Sequence, residues 1–177
     1  MGIDERNNLT NRLPDGTIFY NYEKAIEIFD RIDHRKFSIA DCILILLYAH
    51  PDKPICGRIS LMKQVFLLNR EVLGEKNVQD SKFVPYLYGM YSFAVANVLA
   101  NLEFSDYIRT KGKKNSRLEQ FYITEKGLRY VAEVFARLPK ETQELIKEKR
   151  KGWDQLGYDG ILRLVYTKYP EFKEKSK

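Results

Sequence analysis

A mostly helical α+β fold is what this sequence predicts, and three observations predict it. Apolar residues recur at helical spacing in most segments between residues 22 and 169. Two segments, 107–111 and 118–124, read as short strands, and the intervening GKKNSR supplies Gly112 and Asn115 as turn formers. Three apolar helices precede that hairpin, which is the layout of a winged helix-turn-helix with further helices at both ends.

The elements follow in order. Residues 1–19 are polar and carry a Leu13-Pro14-Asp15-Gly16 turn signal, so they read as an arm. A helix from about Tyr22 to Ile32 would place Ala25, Ile26, Phe29 and Ile32 on one side. Ser38 reads as an N-cap for a helix over Ile39–Ala49, apolar nearly all round and therefore central to the core. Pro51 and Pro54 end it. Leu61, Val65, Leu68 and Val72 predict a helix from Ser60 to Leu73, with Gly74 as its stop. Pro85 and Gly89 argue against helix across the aromatic segment 83–91.

Ser92 then caps a helix over Phe93–Phe104 that faces the core with Val95, Val98, Leu99 and Leu102. After the hairpin, Thr124 caps a helix to Leu138 through Leu128, Val131 and Phe135. Pro139 opens a charged helix to about Trp153, and Asp159–Tyr169 forms the last one, stopped by Pro170. The expected organisation is an arm (1–19), a winged-helix domain with its leading helix (20–138), and a helical extension packed on the same core (139–177).

Composition bounds the function. The chain has 177 residues, 44% hydrophobic and 31% charged, which is a globular rather than a disordered balance. Its net charge of +6 favours an acidic partner. Cys42 and Cys56 form no CxxC pair, and His34 and His50 cannot complete an ordinary zinc site, so no metal and no cofactor is expected. Isolated thiols and the lack of a signal peptide point to the cytoplasm. The apolar run 39–49 is too short to span a bilayer. Phosphate-binding glycine loops, HExxH and GxSxG are all missing, so no catalytic residue and no small-molecule substrate is assigned. His50 reads as a cation or cap at a helix C-terminus.

Three motifs carry a resemblance. GRISLMKQVFLL at 57–68, FVPYLYGMYS at 83–92 and FYITEKG at 121–127 resemble, in that order, elements of the YwgA-like and Panacea (SocA-like antitoxin) winged-helix domains. LRLVYTKYPEF at 162–172 is similar to the ending of the same families, and the likeness spans roughly 43–172. Met90 stands where the family pattern often has Pro. The resemblance implies a winged-helix fold, no enzymatic chemistry and a binding role. In the antitoxin branch that role is neutralisation of a toxin by direct contact.

Two surfaces are candidates for binding. Residues 107–117 contain Arg109, Lys111, Lys113, Lys114 and Arg117 and no acid. Such a tip can follow the phosphate backbone of DNA, although lysines there also block edge-to-edge strand pairing. The second surface is the face of the 93–104 helix away from its core side: Phe93, Asn97, Ala100, Asn101 and Phe104. It has no Lys or Arg, so base reading in a major groove fits it less well than contact with another protein, a second copy of this chain, or burial under a neighbouring segment. Tyr86, Tyr88 and Tyr91 adjoin this helix and could stack on bases or pack its end. Lys147, Lys149, Arg150 and Lys151 form a second basic group, expected to be a solvated face paired with Glu141, Glu144 and Glu148. The first expectation is therefore DNA association through the wing. The alternative is an antitoxin-like or adaptor role through the 93–104 face.

Overall fold

The computed structural model describes residues 11–12, 18–19, 36–86 and 89–173. Most of the expected arm, the expected 22–32 helix, Tyr88 and the last four residues lie outside the described residues. The chain divides into two compact units, Met1–Lys36 and Phe37–Lys177. In the first, β1 (Asn11–Arg12) pairs antiparallel with β2 (Ile18–Phe19), on either side of the Pro-Asp-Gly sequence.

The second unit is α+β, mostly helical with small antiparallel sheets. Helix α1 (Ile39–Tyr48) begins at a capping box. The Ser38 hydroxyl accepts from Asp41 N–H at 3.0 Å, and the Asp41 carboxylate accepts from Ser38 N–H at 2.8 Å. Every residue from Cys42 to Leu47 is buried, as an all-round apolar helix requires. Burial, with Asp41 beside it, pushes the Cys42 thiol up to about 12, so this cysteine serves as core rather than as a nucleophile.

A two-residue strand that the sequence pattern does not announce, β3 (Ile55–Cys56), follows the prolines. Helix α2 (Arg58–Leu68) starts ahead of Ser60 because Gly57 supplies its cap carbonyl, which accepts from Leu61 N–H at 3.0 Å. It widens into a π-helical turn over Asn69–Leu73 and ends at Gly74. The aromatic segment is a hairpin of β4 (Val84–Tyr86) and β5 (Gly89–Tyr91), in register Val84↔Tyr91 and Pro85↔Met90. A proline is tolerated there because the hairpin stands alone and leaves an unpaired edge.

Helix α3 (Phe93–Phe104) is capped by Ser92, whose hydroxyl accepts from Val95 N–H at 3.0 Å. It buries Val95, Leu99 and Leu102 in the core. The second hairpin, β6 (Ile108–Lys111) and β7 (Gln120–Ile123), pairs Ile108↔Ile123 through Lys111↔Gln120. Because β3 adds to the free edge of β7, the sheet order is β3-β7-β6. The expected second strand starts at Leu118, but Leu118 stays outside β7 and is 72% exposed.

Helix α4 (Glu125–Ala136) begins at Thr124, whose hydroxyl accepts from Gly127 N–H and donates to the carbonyls of Asp106 and Tyr107. At Gly127 an added Cβ would lie 2.3 Å from the Tyr107 carbonyl oxygen and 2.8 Å from Ile123 Cγ1, so only glycine lets this helix approach the hairpin so closely. Helix α5 (Lys140–Lys168) is interrupted at Gly157, where φ is 65° and ψ is −173°. That break falls inside the gap expected between the last two helices. Ile146, Trp153, Ile161 and Val165 join the common core, and Tyr169 and Phe172 pack edge-on against Phe66 of α2. The C-terminal region thus belongs to the same unit as the hairpins. No helix among the described residues is long and apolar enough to cross a membrane.

Candidate interaction surface and the adjoining cleft

The outer face of α3 is built by helical spacing. Phe93, Asn97, Ala100, Asn101 and Phe104 lie four, seven, eight and eleven residues along and fall on one stripe. All five are exposed, Phe93 by 57% and Phe104 by 94%, while Val95, Leu99 and Leu102 on the other side are buried. Burial of this face under another described segment, left open by the sequence, is therefore not what the structure has. The tyrosine hairpin meets the start of the stripe. Tyr86, Tyr91 and Phe93 form a ring cluster with centroids 5.0–5.7 Å apart.

All five cations of the basic hairpin are exposed, but three face acids that come from outside 107–117. Arg109 lies 3.5 Å from Asp106, Lys114 lies 3.4 Å from Glu103, and Arg117 lies 3.2 Å from Asp159 of α5. Glu103 also accepts from the Thr110 hydroxyl, and that bond more than Lys114 holds its carboxyl below the usual carboxylate range. Lys111 lies over the Tyr122 ring at 5.0 Å. Lys111 and Lys113 have no ion pair among the described residues. The hairpin is thus a weaker cationic source than its own sequence implies.

The second basic group is also corrected. Arg150 is 0% exposed, so it is not part of a solvated face. It pairs with the nearly buried Asp154 and donates to the Lys53 carbonyl at 3.1 Å. Burial lowers its pKa to about 10. Lys147 does pair with Glu144 on its own helix, whereas Lys149 reaches Glu71 of the π-helical turn. His50 directly follows Ala49, the C-cap of α1. Its Nδ1 faces Asp154 at 3.5 Å, and burial together with the Arg150 charge holds its pKa below the ordinary value.

Three buried charged residues emerge only from the fold. The first of them, Arg150, is joined by Glu119 and Lys63. Glu119 is 0% exposed and binds Arg58 through two hydrogen bonds, 2.7 Å to Nη2 and 3.2 Å to Nε. It also accepts from Asn115 N–H at 3.0 Å, so one carboxylate ties α2 to the hairpin. Lys63 is fully buried and donates to the Met90 carbonyl at 2.5 Å, joining α2 to β5. The sequence signals of these two are thin. Glu119 is the first acid after a run of cations, and Lys63 interrupts an apolar run.

Burial pushes the Lys63 pKa down to about 7 from 10.5. Between those values the unfolded chain binds more protons than the folded one, so this group makes stability rise with pH. Below pH 7 both states are protonated and the full burial penalty applies. Lys63→Met is expected to be more stable than the parent at pH 6 by on the order of 2 kcal/mol, the lost hydrogen bond offsetting part of the relief. The gap should close toward pH 10.5. Urea unfolding at both pH values checks this, and an equal difference at both would rule out the lysine as its source.

Arg58, Tyr86, Tyr91, Phe93, Arg117 and Tyr158 line a cleft of about 480 Å³ where the loop of the basic hairpin meets the aromatic hairpin. The Arg117 guanidinium sits 4.3 Å from the centre of the Tyr158 ring. Two surfaces that the sequence keeps apart, the cationic loop and the tyrosine segment, therefore share one concavity. Among the described residues no group of His, Cys, Asp or Glu is placed to hold a metal ion. No protein-family model, no curated protein and no solved structure matches this chain.

Proposed function

We propose that this chain is a non-enzymatic winged-helix module that works by holding a partner protein against the outer face of α3. The winged-helix reading rests on the order helix, strand, helix, helix, strand, strand over α1, β3, α2, α3, β6 and β7, with the β4–β5 hairpin inserted between α2 and α3 and the strands β3, β7 and β6 joined in one sheet. One observation carries the choice of partner: a stripe with an exposed phenylalanine at each end, two asparagines between them and no cation. Exposed aromatics on a rigid helix mark contact surfaces, and a phosphate-facing helix would bring positive charge. The sequence resemblance to the YwgA-like and Panacea domains is in keeping with a binding role, and in the antitoxin branch of that group the partner would be a toxin-like protein.

The test is a pull-down of the full chain at native expression after nuclease treatment. A stoichiometric protein should co-purify. Phe104→Ala should weaken it by about 2 kcal/mol, and Ala100→Asp should abolish the complex by burying an unpaired charge. Both variants should melt like the parent, since both side chains are in solvent. A complex that survives both changes would place the surface elsewhere.

A second reading, DNA association through the wing, is favoured by Lys111 and Lys113, exposed and without acid partners among the described residues. On that reading Lys111→Ala with Lys113→Ala flattens the salt dependence of DNA binding by about one unit of slope for each lysine that neutralises a phosphate. An unchanged slope would reject it.

A further inference from the structure

We propose that the cleft between the two hairpins is a binding site for a nucleoside monophosphate unit, with its base against the aromatic cluster and its phosphate at Arg117 and Arg58. The inference does not depend on the protein-contact reading, although Phe93 borders both surfaces. At about 480 Å³ the cleft is of the size that ligand sites occupy. One wall is aromatic: Tyr86, Tyr91 and Phe93, the last two packed at 68° with centroids 5.0 Å apart. Rings so placed offer a base both stacking and edge contacts.

The polar side of the cleft comes from the loop of the basic hairpin and α2. Arg117 and Arg58 both line it, and a guanidinium fork matches phosphate oxygens. Glu119 fixes Arg58 in place through Nε and Nη2. Arg117 is held differently. Its pair with Asp159 is 63% exposed on both sides, so water already screens it and an incoming phosphate can take the place of that carboxylate. The stack of Arg117 on Tyr158 keeps the guanidinium at the cleft while that exchange occurs. Asn115 also lines the cleft. Its backbone N–H is committed to Glu119, while its side-chain amide has no hydrogen-bond partner among the described residues and is free for a base edge. Lys113 and Lys114 precede Asn115 in the hairpin, where a neighbouring phosphate of a strand would meet them.

The shared chemistry has two sources, a free nucleotide or the terminal nucleotide of a strand. Calorimetric titration of the full chain with AMP, adenosine, inorganic phosphate and a short oligo(dA) carrying either a 5′-phosphate or a 5′-hydroxyl separates them. AMP is expected to bind one to one, and adenosine and phosphate each about tenfold more weakly or worse. Arg117→Gln and Tyr91→Leu should each weaken AMP about tenfold. Arg109→Gln, outside the cleft, should leave it unchanged. A 5′-phosphorylated strand that binds much more tightly than AMP assigns the site to strand ends. Equal affinity assigns it to free nucleotide, and either result supports the site. AMP binding no better than phosphate alone, or an affinity that Arg117→Gln and Tyr91→Leu both leave intact, overturns it. Since Arg117 is exposed, its replacement tests binding without unfolding the chain.

Discussion

Replacing Arg150 by alanine is expected to destabilise the protein by about 4 kcal/mol, the cost of breaking a buried pair from one side. Arg150 is completely enclosed, and its partner Asp154 has a side chain only 6% exposed. Without the guanidinium, Asp154 keeps, among the described residues, a long hydrogen bond from Gln64 at 3.4 Å and the His50 ring at 3.5 Å. Neither replaces a full charge in a low-dielectric setting. The Lys53 carbonyl also loses its donor, which loosens the turn between α1 and β3. Removing both charges is a different experiment. Arg150→Leu with Asp154→Leu should recover most of the loss, because two apolar side chains in that space carry no desolvation penalty. Urea unfolding of the two single variants and the double variant gives the coupling directly. A single variant within about 1 kcal/mol of the parent would mean that water reaches Asp154.

Glu119→Ala is expected to cost about 3 kcal/mol and to loosen the basic hairpin. The carboxylate is fully buried and meets three donors: Arg58 Nη2, Arg58 Nε and the Asn115 N–H. Its loss leaves Arg58, a fifth of whose side chain is open to water, without its hydrogen-bonded carboxylate. That partial exposure keeps the cost below the one at Arg150. The Asn115 amide, held at φ 58°, loses the acceptor that fixes this left-handed turn. Glu119→Gln retains hydrogen bonding without the charge and should fall between the parent and the alanine variant. Hydrogen exchange should report faster opening at 112–118 in Glu119→Ala, with α1 unchanged. Uniform loss of protection across the chain would show that Glu119 acts on the whole core rather than on the hairpin.

The parts of this fold that are legible in the sequence are those set by local chemistry. Ser38 with Asp41, Ser92 and Thr124 each cap the helix that follows, within three residues of their partners. Gly112 and Asn115 adopt positive φ in the turn expected of them. The exposed stripe of α3 can be read because helical spacing alone separates it from Val95, Leu99 and Leu102. What the sequence hides depends on distance along the chain. Strand β3 has only two residues and exists because β7, more than sixty positions later, offers an edge. Glu119 meets Arg58 across 61 residues and Arg150 meets the Lys53 carbonyl across 97. Residue type argues that Arg150 belongs in water, since a guanidinium is almost never enclosed without a partner, and the pocket that encloses it is assembled only by folding. The same reason explains the wing. Its five cations are plain in the sequence, and Asp106 stands only three residues before Arg109, but Asp159, which faces Arg117, is 42 residues away in α5.

The contact at Gly127 has a mechanical consequence. With its start pressed against the Tyr107 carbonyl and the Ile123 side chain, α4 acts as a bolt through the base of the basic hairpin. The base of the hairpin is therefore set by the helical body, while its loop is held separately by Glu119. Anything that docks on it meets a shape already set and incurs little ordering entropy at that base.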